Sequence, residues 1–125
     1  MPSILIVDDD APVRRTLEKM LESAGFETVS AADGSEGLEL FRRRRPDLVV
    51  TDIIMPNEEG LGLIRDLRSE DPGVRILAIS GGSRLGTLDF LRMARSLGAA
   101  DTLAKPFEKE EFLTHVRRCL EMPAG

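Results

Sequence analysis

The chain has 125 residues, 42% of them hydrophobic, which suits one globular domain spanning 1–125 around a single core. A formal charge of −5 and the lack of Trp and Tyr argue against non-specific nucleic-acid binding and against base stacking. No apolar run approaches the roughly 18 residues of a membrane span, no signal-peptide pattern follows Met1-Pro2-Ser3, and one cysteine, Cys119, excludes an internal disulfide and fits a reducing cytoplasm.

Ser3–Val7 reads as a first strand, apolar on both faces, as in a central parallel strand covered by helices on both sides. Asp8-Asp9-Asp10 follow at once, and Asp10 is an N-cap for a helix with Pro12 in its first turn. Val13, Leu17, Met20, Leu21 and Ala24 recur at helical spacing until Gly25 ends the helix. Phe26–Ser30 alternates, which suits an edge strand. Asp33-Gly34-Ser35 turns into a helix from about Glu36 to Arg44. The basic run Arg42–Arg45 at its end favours the helix dipole and reads as a solvated helix end.

Leu48–Thr51 is a buried, β-branched strand bounded by prolines, with Asp52 where it ends. A turn-rich loop, Ile53 to Gly60, leads to a helix marked by Leu61, Leu63, Ile64 and Leu67, which Asp71-Pro72-Gly73 stops. Val74–Ile79 is a fourth strand ending in Ser80. After a loop over Gly81–Gly86, a helix runs from about Thr87 to Ser96. A short strand, Asp101–Ala104, ends at Lys105-Pro106, and a last helix covers about Lys109 to Glu121. Strands alternating with helices through short connections predict a doubly wound α/β domain, with a parallel sheet and right-handed crossovers.

Open α/β sheets place ligands at the carboxyl ends of their strands. Asp8 and Asp9, Asp52, Ser80 and Lys105 all fall at such ends. Converging carboxylates repel one another and raise at least one pKa. A divalent cation relieves that repulsion, and oxygen ligands from few protein groups suit Mg²⁺. A carboxylate nucleophile, a metal, an ammonium and a hydroxyl are the parts needed to receive a phosphoryl group.

These stretches resemble the receiver domain of the two-component response-regulator family. The matching residues are Ile4-Leu5-Ile6-Val7-Asp8-Asp9, Asp52-Ile53-Ile54-Met55-Pro56 with Gly60, Ile79-Ser80-Gly81 and Lys105-Pro106-Phe107. They occur in family order across nearly the whole chain. The resemblance implies a single-domain (βα)5 fold with the flavodoxin-like strand order 2-1-3-4-5. It implies that Asp52 accepts phosphate from a histidine kinase or phosphotransfer protein. It also implies that Asp8, Asp9, Asp52 and the backbone carbonyl of Ile54 bind Mg²⁺, for which Mn²⁺ can substitute. Ser80 and Lys105 would bind phosphoryl oxygens.

Two positions depart from the family pattern. Thr102 stands where most receivers carry Tyr or Phe, and the stretch from Ser80 to Lys105 is longer than usual, with the extra length assigned to Gly81–Gly86. The expected consequence is that this loop, and the start of the next helix around Arg84 to Phe90, carry the response to phosphorylation. Rival readings are weaker. Gly81–Thr87 follows a strand like a P-loop but lacks its lysine. An aspartyl-nucleophile phosphatase needs a second acid two residues after Asp52, where Ile54 stands. His115, on the last helix, is expected at a surface or boundary far from the strand ends, and Cys119 as a small core residue. A pure docking module would lack part of the acidic pair, Asp52 or Lys105, and all are present. The expected protein is a stand-alone cytoplasmic receiver, not an enzyme beyond self-catalysed phospho-acceptance and slow dephosphorylation. It would act on an unknown protein target, without nucleic acid or membrane insertion, or serve as a phosphate sink or intermediate relay.

Overall fold

The computed structural model describes residues 2–53, 59–80 and 87–122. Strands β1 (Ser3–Val7), β2 (Glu27–Ala31), β3 (Leu48–Asp52), β4 (Ile76–Ser80) and β5 (Asp101–Ala104) alternate with helices α1 (Ala11–Ser23), α2 (Gly34–Arg44), α3 (Glu59–Glu70), α4 (Thr87–Leu97) and α5 (Lys109–Glu121). The strands form one parallel sheet in the order β2-β1-β3-β4-β5. This is the flavodoxin-like arrangement that the motifs implied.

Side-chain alternation along the strands divides the core into two layers. Leu5, Val7, Val49, Ile76 and Ala78 face α2, α3 and α4, where they meet Phe41, Ile64, Leu67 and Ala94. Ile4, Ile6, Leu48, Val50, Leu77, Ile79 and Leu103 face α1 and α5, where they meet Leu17, Leu21, Phe112, Leu113 and Val116. Phe112 also stacks on Phe107, with ring centroids 5.4 Å apart. Gly37 of α2 lies where a Cβ would come within 2.9 Å of Val7 Cγ2, so the absence of a side chain lets α2 approach β1.

The helix ends obey local chemistry. Asp10 caps α1 and Asp33 caps α2, each carboxylate accepting from the backbone N–H three residues on. Glu36 reaches back to accept from Ala32 N–H at 2.7 Å, completing a capping-box-like exchange. Gly25, at φ 92, stops α1, and Phe26 N–H then bonds Leu21 O at 3.1 Å. That bond makes Phe26 part of the helix stop, which is why β2 begins at Glu27 and not at Phe26. Likewise β4 begins at Ile76 and not at Val74, because Val74 N–H closes a turn onto Asp71 O at 3.0 Å. Capping by Asp33 starts α2 at Gly34, two residues earlier than the periodicity indicates. At the other end of α2, Arg42 pairs with Glu70, Arg43 with Glu39, and Arg45 lies over the Phe41 ring. The basic run therefore serves helix ends, as its position indicates.

Candidate functional site

Strand register assembles the site. Val7 pairs with Thr51, Asp52 with Ile79, and Ser80 with Ala104. Asp8, the residue after Val7, thus stands level with Asp52, and Lys105 stands two residues beyond Leu103, which is level with Asp52 through Ile79, all at the carboxyl edge of the sheet. Asp8 continues the row of Ile4 and Ile6, Asp52 the row of Leu48 and Val50, and Lys105 that of Leu103. All three rows face the α1–α5 side, so the three side chains meet there. Ser80 continues the opposite row, behind Ile76 and Ala78, toward α3 and α4.

Lys105 Nζ lies 3.1 Å from Asp52 Oδ2 and 3.5 Å from Asp8 Oδ2. Burial alone would lower the Lys105 pKa, but the carboxylates of Asp52 and Asp8 outweigh it and hold the ammonium above its usual value. Asp8 is almost fully buried. Loss of water raises its pKa, and the charges of Asp52 and Asp9 add to that. The Asp10 backbone N–H and Lys105 offset only part of the rise. Burial of Asp8 thus outweighs the lysine beside it.

The predicted residues are not all gathered. Asp9 is exposed. Among the described residues no three acidic, His or Cys side chains stand close enough together to hold a metal ion. Lys105 brings Asp8 and Asp52 together, whereas Asp9, in the bend after β1, is exposed. Ser80 is fully buried at the end of β4. Among the described residues its Oγ is the one buried side-chain oxygen or nitrogen without a hydrogen-bond partner. Such a group costs about 1–3 kcal/mol unless a ligand or water meets it. Ile54 and the loop 81–86 lie outside the described residues, and so does the expected response of that loop. Thr102 is half-buried on β5, in the row facing α4.

Two of the carboxylates expected to hold Mg²⁺ are gathered. Asp8 and Asp52 offer the hard carboxylate oxygens that Mg²⁺ takes, and both lie at one edge of the sheet.

His115 lies at the opposite end of β5 from Lys105. Its Nδ1 stands 2.7 Å from Asp101 Oδ2, and Arg118 and Arg95 approach the same carboxylate at 3.5 and 3.8 Å. The sequence treats Asp101 as no more than a strand start, since pairing across 14 residues and between two helices leaves no local pattern. Cys119 is buried in the α1–α5 layer, and burial pushes its thiol up to about 12, which leaves it unreactive at neutral pH.

The fold is thus a (βα)5 parallel domain with a lysine between two strand-end carboxylates. Residues 4–117 match the family model described as the response regulator receiver domain. The chain belongs to that family. It is 40% identical over 120 residues to "Probable transcriptional regulator ycf27" of Porphyridium aerugineum, covering 94% of this chain and 47% of that protein. It is 40% identical over 121 residues to response regulator MprA of Mycobacterium sp. (strain KMS), covering 94% and 50%. The chain thus spans about half the length of these curated relatives. The receiver domain of NtrX from Brucella abortus superposes with a TM-score of 0.89 at 30% identity, covering 95% of this chain and 98% of that one. A response regulator receiver domain protein from Clostridium thermocellum gives 0.88 at 26%, covering 96% and 94%.

Proposed function

We propose that this receiver domain takes a phosphoryl group onto Asp52 in a Mg²⁺-dependent reaction and thereby changes its affinity for a protein partner. The observation that carries the reading is the Lys105 ammonium held between Asp52 and Asp8 at 3.1 and 3.5 Å. An Asp52 carboxylate oxygen attacks the phosphorus of the donor. A new P–O bond forms, the donor's P–N or P–O bond breaks, and the leaving imidazole or carboxylate departs with the electron pair. Asp8 and Asp52, with Asp9 at the rim, would hold Mg²⁺, which supplies the charge that lets a carboxylate accept an anionic group. Lys105 exchanges its carboxylate partners for phosphoryl oxygens. The buried Ser80 hydroxyl donates to another of them, gaining the partner it otherwise lacks.

The donor in this reading is a histidine kinase or phosphotransfer protein, and the setting is the cytoplasm. A net charge of −5 favours a protein partner over DNA for this domain itself. Among the described residues no helix is long and apolar enough to cross a membrane. The stand-alone role is part of the proposal, since the relatives named above are about twice as long.

Intact-mass spectrometry after incubation with acetyl phosphate tests the acceptor. One phosphoryl group is expected on the wild type with Mg²⁺ or Mn²⁺, and none on Asp52→Asn or in EDTA. Equal labelling of the two proteins, or labelling in EDTA, overturns the assignment.

A further inference from the structure

Helix α1 is capped by the Asp10 carboxylate. It has no acidic residue in its first turn, yet Arg14 and Arg15 follow directly, near the end where the helix dipole disfavours cations. Arg15 points into solvent. Arg14 is half-buried and folds back over the helix start, where its Nη1 donates to the backbone carbonyl of Asp8 at 2.7 Å. β1 ends at Val7, so this carbonyl lies beyond the last strand residue.

Asp8 is held at three points. Its N–H donates to Ala31 O at 3.1 Å. Its carbonyl accepts from Arg14. Its Oδ1 accepts from Asp10 N–H at 2.9 Å, and Oδ2 is then the oxygen turned toward Lys105. The strand sets the first restraint and the turn sets the third. The second depends on one long side chain.

We propose that Arg14 is a positioning residue for the acidic site: by clamping the Asp8 carbonyl it fixes the Asp8–Asp10 corner and aims the Asp8 carboxylate at Lys105 and Asp52. The inference rests on the phosphoryl-acceptor reading above. It assigns Arg14 no contact with the phosphoryl group.

The test uses the full chain with Arg14→Met, which keeps the apolar stem and removes the donors, and Arg14→Lys, which keeps a cation and a donor. Asp52→Asn is made alongside. The first readout is amide hydrogen exchange by NMR without metal. Arg14→Met should speed exchange of the Asp10 N–H, while Val50 and Leu77 in the sheet stay protected as in the wild type. The second is labelling by acetyl phosphate with Mg²⁺. A displaced carboxylate should lower the maximal rate by about tenfold, with the half-saturating acetyl phosphate concentration little changed and Arg14→Lys restoring most of the rate. Wild-type labelling and exchange in Arg14→Met, with Asp52→Asn unlabelled, overturns the role of Arg14 and leaves the acceptor reading standing. A rate loss that follows a general loss of protection, and that Arg14→Lys does not rescue, also overturns it, because Arg14 would then be only structural. Full labelling of Asp52→Asn overturns both.

Discussion

Gly37→Ala sets two known effects against each other at the closest approach of α2 to the sheet. The added methyl would stand 2.9 Å from Val7 Cγ2 and 3.4 Å from Cγ1. Neither atom can swing aside easily, since valine has one stiff torsion and Val7 is fully buried in the α2–α3–α4 layer. Overpacking of this kind costs roughly 1–3 kcal/mol. Alanine inside a helix regains about 1 kcal/mol over glycine. The balance is a destabilisation of up to about 2 kcal/mol. A net cost near 1 kcal/mol lowers the urea midpoint by roughly 0.3–1 M. Far-UV circular dichroism is the suitable probe, because the chain has no Trp or Tyr. Val7→Ala should rescue the variant, with a coupling energy of about 0.5–3 kcal/mol between the two sites. Val7 directly precedes Asp8, so labelling by acetyl phosphate should also slow in Gly37→Ala and recover in the double variant. A Gly37→Ala protein more stable than wild type, or strict additivity with Val7→Ala, would refute the reasoning.

Three further outcomes are expected. Burial raises the folded-state pKa of Asp8 above its unfolded value, so the charged form is penalised in the fold and Asp8 subtracts stability at pH values above both. Asp8→Asn should therefore raise the urea midpoint at pH 7, and the gain should shrink as the pH falls through the raised Asp8 pKa; an equal gain at every pH would remove burial of the charge as its cause. Lys105→Ala leaves Asp52 and Asp8 facing each other without their shared cation, so Mg²⁺ should bind at least as tightly by calorimetry while phosphorylation no longer shifts the NMR spectrum as in the wild type. Normal switching in that variant would take Lys105 out of the mechanism. Cys119, buried and with its thiol pushed up to about 12, should resist iodoacetamide at pH 8 in the native protein and react in urea; rapid native alkylation would place it nearer the surface than α5 packing does.

Much of this fold is legible because its signals are local. Asp10, Asp33 and Gly25 announce helix ends through chemistry that acts over three or four residues. The continuous apolar runs of β1 and β3 announce strands covered on both faces. The placement of the candidate residues is legible for a related reason: Asp8, Asp52, Ser80 and Lys105 each follow or close an apolar strand run, which marks them at the carboxyl edge of the sheet. What periodicity misses is decided across the fold. The start of β2 depends on Phe26 bonding back to Leu21, and the burial of Asp101 depends on His115, Arg95 and Arg118 reaching it from two helices. Asp9 looks equivalent to Asp8 in the sequence, yet Asp8 is still held to the sheet by its N–H bond to Ala31 and is buried, while Asp9 lies in the bend beyond and is exposed.

Side-chain alternation gives the sheet the character of a partition wall. Asp8, Asp52 and Lys105 open toward α1 and α5, whereas Ser80 and Thr102 belong to rows facing α4. Substitutions on the α1–α5 flank can therefore alter the surroundings of Asp8, Asp52 and Lys105 while leaving the packing behind Ser80 and Thr102 in place. Thr102 sits on the flank away from the lysine and the two carboxylates, so a substitution there changes the α4 side of the sheet first.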